Sequence, residues 1–394
     1  MDKHRKNVAL LSVCQGLLLT NNSVLISING LAGYALAPDK GLATLPVTGY
    51  VLGSALTTLP VSLLMKRWGR RAGFTAGAVC AILGSILCAI AVYGGNFWML
   101  CLGTLVLGAY FAAGQYYRFA AADAAPVSFR SKAISLVLAG GIIGGFLGPQ
   151  TSRLTKDLFT QHLYAGAYMS LVVFALLAIV VLRWLDIPPP TAAEQKAETR
   201  PILEIARQPA FLVALLCGMV GYGVMNLLMT ATPLAMVACE HPFAEAAFVI
   251  QWHLVGMFAP SFFTGGLIQR VGVGRVIVLG VVLNLVCVAV ALSGVAVANF
   301  WLALMLLGIG WNFMYVGATT LLTETHRTAE RAKAQGVNDM AVFVTMVASS
   351  LSSGALFTYQ GWQMMNYLAI PFLVIAGVAA AALQWSRRGS AAAA

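Results

Sequence analysis

The chain has 394 residues, of which 60% are hydrophobic and 9% charged, with a mean hydropathy of +0.84. Soluble domains carry roughly 25% charge, so the polar surface of a soluble enzyme, a secreted disulfide scaffold or a disordered protein is missing. The net charge of +11 does not call for nucleic acid, because basic residues gather in the cytoplasmic loops of membrane proteins.

Apolar runs fall at 7–36, 41–65, 72–94, 97–122, 133–152, 162–185, 210–238, 244–268, 274–295, 298–322, 334–358 and 362–385. A membrane-spanning helix needs about 20 apolar residues, so an all-α membrane protein of twelve transmembrane helices is predicted. The first run follows Lys3, Arg5 and Lys6, and Ala35-Leu36-Ala37 resembles a signal cleavage site. A signal core spans only about 7–15 residues, half of this run, which therefore reads as the first helix. Six of the seven cysteines (Cys14, Cys80, Cys88, Cys101, Cys217 and Cys287) lie in apolar segments and Cys239 in a loop. That distribution is not a disulfide framework.

With the N-terminus inside, 21 of the 24 Lys and Arg residues fall on the cytoplasmic side and three, Lys40, Arg153 and Lys156, outside. This segregation supports twelve spans with both termini cytoplasmic. The long polar stretch Asp186–Gln208, opening with Pro188-Pro189-Pro190, reads as a linker over 186–208 between an N-terminal half, 1–185, and a C-terminal half, 209–394. The halves repeat. Asn96-Phe97-Trp98 recurs as Asn299-Phe300-Trp301, and Arg67-Trp68-Gly69 as Arg270-Val271-Gly272, both shifted by 203 residues (299 − 96 and 270 − 67). Two pseudo-symmetric six-helix halves with the substrate held between them form a transporter architecture.

On these features the chain resembles the major facilitator superfamily. The loop after the second helix in that family carries a glycine, an acid, a basic residue, a glycine and two more basic residues. Here Ser62, Lys66, Arg67, Gly69, Arg70 and Arg71 stand in those places, with Lys66 in place of the acid. The second copy reads Gly265, Gln269, Arg270 and Gly272. Gly144-x-x-x-Gly148-Pro149 is similar to the family's antiporter motif, although Ser152 and Arg153 replace its following glycines and small residues also permit close helix packing. The arginine common in the fourth helix of drug–proton antiporters is absent. Thr104 occupies its expected place, and Arg118 lies nearer the cytoplasm. The resemblance implies alternating-access transport rather than enzyme catalysis.

Ionisable groups inside apolar runs mark function, and no carboxylate falls near the middle of a run: Asp123, Glu324 and Asp339 lie near cytoplasmic ends. Sulfur and one imidazole lie deeper. Met225 and Met229 are four apart in run seven, and His253 and Met257 four apart in run eight, so each pair shares one helix face. At about 1.5 Å per residue the four fall within a band a few turns tall, on consecutive antiparallel helices. Methionine is also a common core filler. Thioether and imidazole donors select Cu(I) over zinc, magnesium or calcium, and without a thiolate they allow release. Only His253 titrates, and an ordinary imidazole does so near 6.5, so metal binding is expected to weaken in acid.

With this ligand set the chain resembles the CcoA-like family of bacterial copper importers. The similarity extends to Cys217 and to the segment Arg331-Ala-Lys-Ala-Gln-Gly-Val-Asn-Asp339. The resemblance implies copper import across the inner membrane, supporting assembly of cbb-type cytochrome c oxidase. Its copper ligands are Met225, Met229, His253 and Met257. Copper is then the substrate, with no prosthetic group, and cytoplasmic copper carriers, the lipid bilayer and a monomeric state are the expected context. Cys239, Glu240 and His241 form an outer-loop cluster suited to capture, and Cys217, two turns below Met225, is suited to receive copper. A proton-coupled exporter of organic solutes is the alternative, motivated by the helix-five glycines and the apolar seventh run. Subtracting 203 maps Met225 onto Asn22, His253 onto Tyr50 and Met257 onto Ser54, so one set of faces in both halves is expected to line the pathway.

Overall fold

A helix that is apolar all round belongs in a membrane or a large core, and within a bilayer every backbone group must bond inside its own helix. The computed structural model follows that rule. It describes residues 2–39, 42, 45–189, 191 and 199–392, apart from the side chains at 243, 244, 247, 355 and 388–392. Lys40, Lys196 and the side chain of Arg388, three of the 24 basic residues counted above, and Pro190 and residues 192–198 of the linker lie outside the described residues. Among the described residues every regular element is helical.

The first six helices are Lys3–Leu36, Leu45–Trp68, Arg70–Tyr93, Phe97–Asp123, Val127–Thr155 and Ala165–Leu182. The seventh is Pro209–Ala238, the ninth Val273–Leu292 and the tenth Val297–Leu322. The eighth comes in two pieces, Phe243–Phe258 and Ser261–Val271. Pro260 between them has no N–H to continue the backbone ladder. The eleventh and twelfth run on as Arg331–Ala392, broken at Gly361 with φ 74°. Ten of the described helices are long and apolar enough to cross a membrane. The eighth, in pieces of 16 and 11 residues, is too short for that criterion, and the eleventh is not among the ten. Large apolar side chains such as Phe262 (63% exposed) and Trp385 (83%) point outward, as a lipid-facing shell requires.

Contacts group the chain into two compact units. The first comprises Met1–Pro126, Gly140–Thr199 and Thr328–Phe343. In it helix 3 packs on helices 4 and 6, helix 2 on helix 4, and helix 1 on helix 6 and the second part of helix 5. The second comprises Val127–Ala139, Arg200–Arg327 and Val344–Ala394. In it helices 7, 8 and 9 all pack on helix 10, and the first part of helix 5 packs on the second part of helix 8.

The units repeat one crossing. Gly108 in helix 4 leaves no room for a Cβ against the backbone of Tyr50, Gly53 and Ser54 in helix 2. Gly308 in helix 10 does the same against His253, Gly256 and Met257 in helix 8. Tyr50 thus corresponds to His253 and Ser54 to Met257, as the 203-residue shift predicts. Gly69 and Gly272, with φ 88° and 90°, cap helices 3 and 9 at the same shift, in a region that favours glycine. Between helices 4 and 10, however, the shift is 200 (308 − 108). Asn96 therefore corresponds to Ala296, and both are N-caps. The recurrence of Asn-Phe-Trp is one helical turn out of register. Asn96 caps its helix by accepting from the Met99 amide, whereas Asn299 donates to Ser293 Oγ.

Candidate functional site

Helix 7 turns one face to helix 10. Gly221 lies against Met314, and the Tyr222 ring meets Trp311 and Tyr315 edge-on at 5.3 and 5.0 Å. At about 100° per residue, Met225 and Met229 fall roughly 40° and 80° around from Gly221, between it and Tyr222. Both methionines thus belong to the face turned toward helix 10. Met225 is buried and Met229 half-buried.

Helix 8 meets an adjacent side of helix 10. His253 is fully buried, and its Nδ1 lies 2.7 Å from the Leu304 carbonyl oxygen. A carbonyl only accepts, so Nδ1 carries the proton and Nε2 keeps its lone pair. That Nε2 is buried and has no hydrogen-bond partner. One turn on, the Met257 carbonyl accepts from Asn312 Nδ2 at 2.7 Å, and Asn312 in turn accepts from Thr264 at 2.7 Å. Helix 10 runs antiparallel to helix 7, so stepping up from the Gly221–Met314 contact puts Met225 and Met229 near the heights of residues 310 and 306. His253 and Met257 lie against residues 304–312. All four expected ligands therefore stand at similar height around helix 10. Helices 7 and 8 touch each other far less than either touches helix 10, so what the two pairs share is their level against helix 10, not a helix 7–helix 8 interface.

Helix 10 also supplies groups that sequence reading passed over. Trp311 is stacked on Tyr315 at 5.0 Å, with Tyr222 and Phe258 edge-on to it, and its indole N–H is buried without a partner. Phe258, Trp311 and Tyr315 come from two helices, and only the crossing at Gly308 joins them. The local signal was the aromatic pair Trp311 and Tyr315, four residues apart in one run.

The expected relay residues stand differently. The Cys217 thiol contacts the Ala376 carbonyl of helix 12 at 3.8 Å, and Cys217 is eight residues, about 12 Å, below Met225. Cys239 caps helix 7 and is half-buried. His241 bonds the Val295 carbonyl through Nε2 at 2.7 Å and faces the Glu245 carboxylate through Nδ1 at 3.4 Å. Both ring nitrogens are thus engaged. Among the described residues, no group of three or more His, Cys, Asp or Glu could hold a metal ion. Any metal at the central site depends on thioethers.

The charged groups near the cytoplasmic ends are more deeply built than their positions suggested. Arg118 (1% exposed) pairs with Asp339 (3%) at 2.6 Å. Arg70 reaches Asp123 and Gln335, both at 2.6 Å, and Arg331 reaches Asp123 at 3.1 Å. A buried basic residue in an apolar helix requires a counter-ion, but nothing local in the sequence names one 221 residues away.

A duplicated helical bundle, with polar and sulfur groups buried along matching faces and an apolar shell, is the build of a membrane transporter. Residues 11–251 and 241–393 match the Major Facilitator Superfamily, and the chain belongs to that family. It is a multi-pass transporter and not an enzyme. It is 40% identical over 375 residues to the riboflavin transporter RfnT of Brucella anthropi, covering 94% of each chain. It is 27% identical to the uncharacterized MFS-type transporter YdeG of Bacillus subtilis, covering 92% of this chain and 87% of that one. The fold matches the E. coli fucose:proton symporter FucP with a TM-score of 0.76 at 16% identity, covering 96% of this chain and 99% of that chain.

Proposed function

We propose that this transporter carries riboflavin or a closely related planar heterocycle across the bacterial inner membrane. The observation that carries this reading is the 40% identity to a riboflavin transporter over 94% of both chains. The aromatic cluster supports it. A flat ring system recognises aromatic faces and a few buried polar groups. Tyr222, Trp311 and Tyr315, the unpartnered indole N–H of Trp311 and Nε2 of His253 supply that chemistry in one region of helix 10. In this reading both termini are cytoplasmic, and the working halves are 1–185 and 209–394, joined by the linker 186–208.

A second reading, Cu(I) import of the CcoA-like kind, rests on a separate observation. His253 donates through Nδ1 to a backbone carbonyl and holds its Nε2 lone pair buried and unused. Metal-ligating histidines are usually held this way. Met225, Met229 and Met257 then complete a soft donor set. Measuring riboflavin uptake and cell copper together in cells with and without the protein separates the two. Flavin transport predicts riboflavin uptake that falls in Trp311→Leu, with copper unchanged. Copper import predicts raised copper that disappears in Met225→Ala and His253→Ala, with riboflavin unchanged. Riboflavin uptake equal with and without the protein sinks the first reading. A copper content indifferent to His253→Ala sinks the second.

A further inference from the structure

A cavity of about 570 Å³ opens in the first unit, among the ends of helices 1, 2 and 4, the start of the linker and the first turn of helix 11. Its lining holds four cationic side chains, Lys3, Lys66, Arg70 and Arg331, and two carboxylates, Asp123 and Asp186. Lys3 takes Asp186 at 2.8 Å. Arg70 and Arg331 share the single carboxylate of Asp123, at 2.6 and 3.1 Å. Lys66 makes no ion pair among the described residues. The lining therefore carries two positive charges beyond its carboxylates (4 − 2). Lys66 is also the position where the loop departs from the family pattern noted above, with a base in place of an acid. A carboxylate there would bring the count to zero (3 − 3).

A second feature favours an anion in the same place. Thr328, Ala329 and Ala332 also line the cavity, so the 3-10 turn Thr328–Glu330 that leads directly into helix 11 at Arg331 opens into it. The free N–H groups at a helix start attract negative charge. We propose that this cavity binds a phosphate group, either the headgroup of an anionic phospholipid or a soluble phosphate ester, with Lys66 and Arg331 as its principal cationic partners. A phosphate monoester near neutral pH carries up to two negative charges, which matches the excess. Lys66 lies in the last turn of helix 2 and Arg331 begins helix 11. Helix 2 already meets helix 11 where Ser62 donates to the Ala332 carbonyl at 2.6 Å, and helix 3 meets it where Arg70 donates to Gln335 at 2.6 Å. A phosphate between them fastens the first turns of helix 11 to helix 2 and so restrains movement there. The proposal does not depend on which substrate the transporter carries.

The test is hydrogen–deuterium exchange of residues 62–70 and 328–335 in the purified full chain, with three probes at matched ionic strength: inorganic phosphate, AMP and chloride. A parallel arm uses nanodiscs of phosphatidylglycerol or phosphatidylcholine. Phosphate or AMP is expected to slow exchange in both segments, and chloride is not. Lys66→Glu is expected to need at least roughly tenfold more phosphate, as loss of one charge-assisted bond implies. Lys66→Arg should keep the response, and the remote Arg153→Glu should behave as the parent protein. Protection in phosphatidylglycerol discs that added phosphate does not increase identifies the lipid as the occupant. Protection by phosphate that is equal in both lipids identifies a soluble ester. The proposal is overturned if neither phosphate nor phosphatidylglycerol protects these segments. It is equally overturned if Lys66→Glu, checked as monodisperse, or Lys66→Gln is protected as well as the parent.

Discussion

The helix 2–helix 4 crossing of the first unit and the helix 8–helix 10 crossing of the second are the same backbone device with different chemistry. Gly108 and Gly308 each admit the partner helix to backbone contact. On that shared frame the first unit places Tyr50, Ser54 and Phe111, where the second places His253, Met257 and Trp311. Ser54 spends its hydroxyl on the Tyr50 and Gly108 carbonyls at 2.9 and 3.0 Å. At the matching position Met257 carries a thioether and leaves its backbone carbonyl to Asn312. The asymmetry runs the other way about two helix turns below Phe111. Arg118 of helix 4, bound to Asp339, corresponds to Ala318 of helix 10 (118 + 200). The first unit holds the Arg118–Asp339 pair, and at the second crossing His253 Nε2 and the Trp311 indole N–H are buried without partners. One repeated crossing thus carries different side-chain chemistry in each unit.

The largest expected effect breaks the charged side. Arg118→Ala leaves Asp339 buried without its partner, and such losses cost about 3–5 kcal/mol. Thermal or chemical unfolding of the purified variant should show that drop, and the double variant Arg118→Met/Asp339→Leu should recover most of it. A single variant that unfolds like the parent would remove the pair from the stability argument.

The shared frame is tested next. Gly108→Val and Gly308→Val each force a side chain into a backbone contact, an overpacking penalty of about 1–3 kcal/mol. Similar losses in unfolding midpoint are expected for both. A loss confined to one would mean that the two crossings are not equivalent.

The second crossing is compared with the first by a matched pair of variants. His253→Ala should lower transport by at least about tenfold, the equivalent of ~1.4 kcal/mol, with folding retained. Tyr50→Phe at the equivalent position should stay within about twofold. Initial uptake rates at matched expression decide it, and equal effects would place recognition in both units. The smallest effect concerns Ser54→Ala, which removes hydrogen bonds worth roughly 0.5–1.5 kcal/mol. It should lower the unfolding midpoint slightly and leave the uptake rate unchanged, so a clear fall in uptake would give Ser54 a part in the pathway.

Much of this molecule was legible in the chain. Apolar runs of spanning length gave the helices, because a bilayer leaves the backbone no other partner. The 203-residue shift paired Tyr50 with His253 and Gly69 with Gly272 correctly, since the chain between each pair has the same length in both halves (69 − 50 = 19 and 272 − 253 = 19). It failed at Asn96 and Asn299 because the shift in the fourth and tenth helices is 200, and local sequence identity does not report a three-residue change in register. The spacing of Met225, Met229, His253 and Met257 put each pair on one helix face. That both faces pack at one level against helix 10 could not be read from spacing.

Composition and periodicity by themselves determined the helical membrane class, the approximate spans and the duplicated plan, because these depend on the solvent and on neighbours along the chain. Tertiary structure decided which buried groups are satisfied. Cys217 and His241, open to a relay role in the sequence, spend their polar atoms on the Ala376 and Val295 carbonyls, while His253 keeps one nitrogen free. Arg118 and Asp339, apparently peripheral, become a buried pair. The reason is common to all of them. In a low-dielectric interior the state of a polar side chain is set by the atom it meets across a helix crossing, and that atom lies far away in sequence.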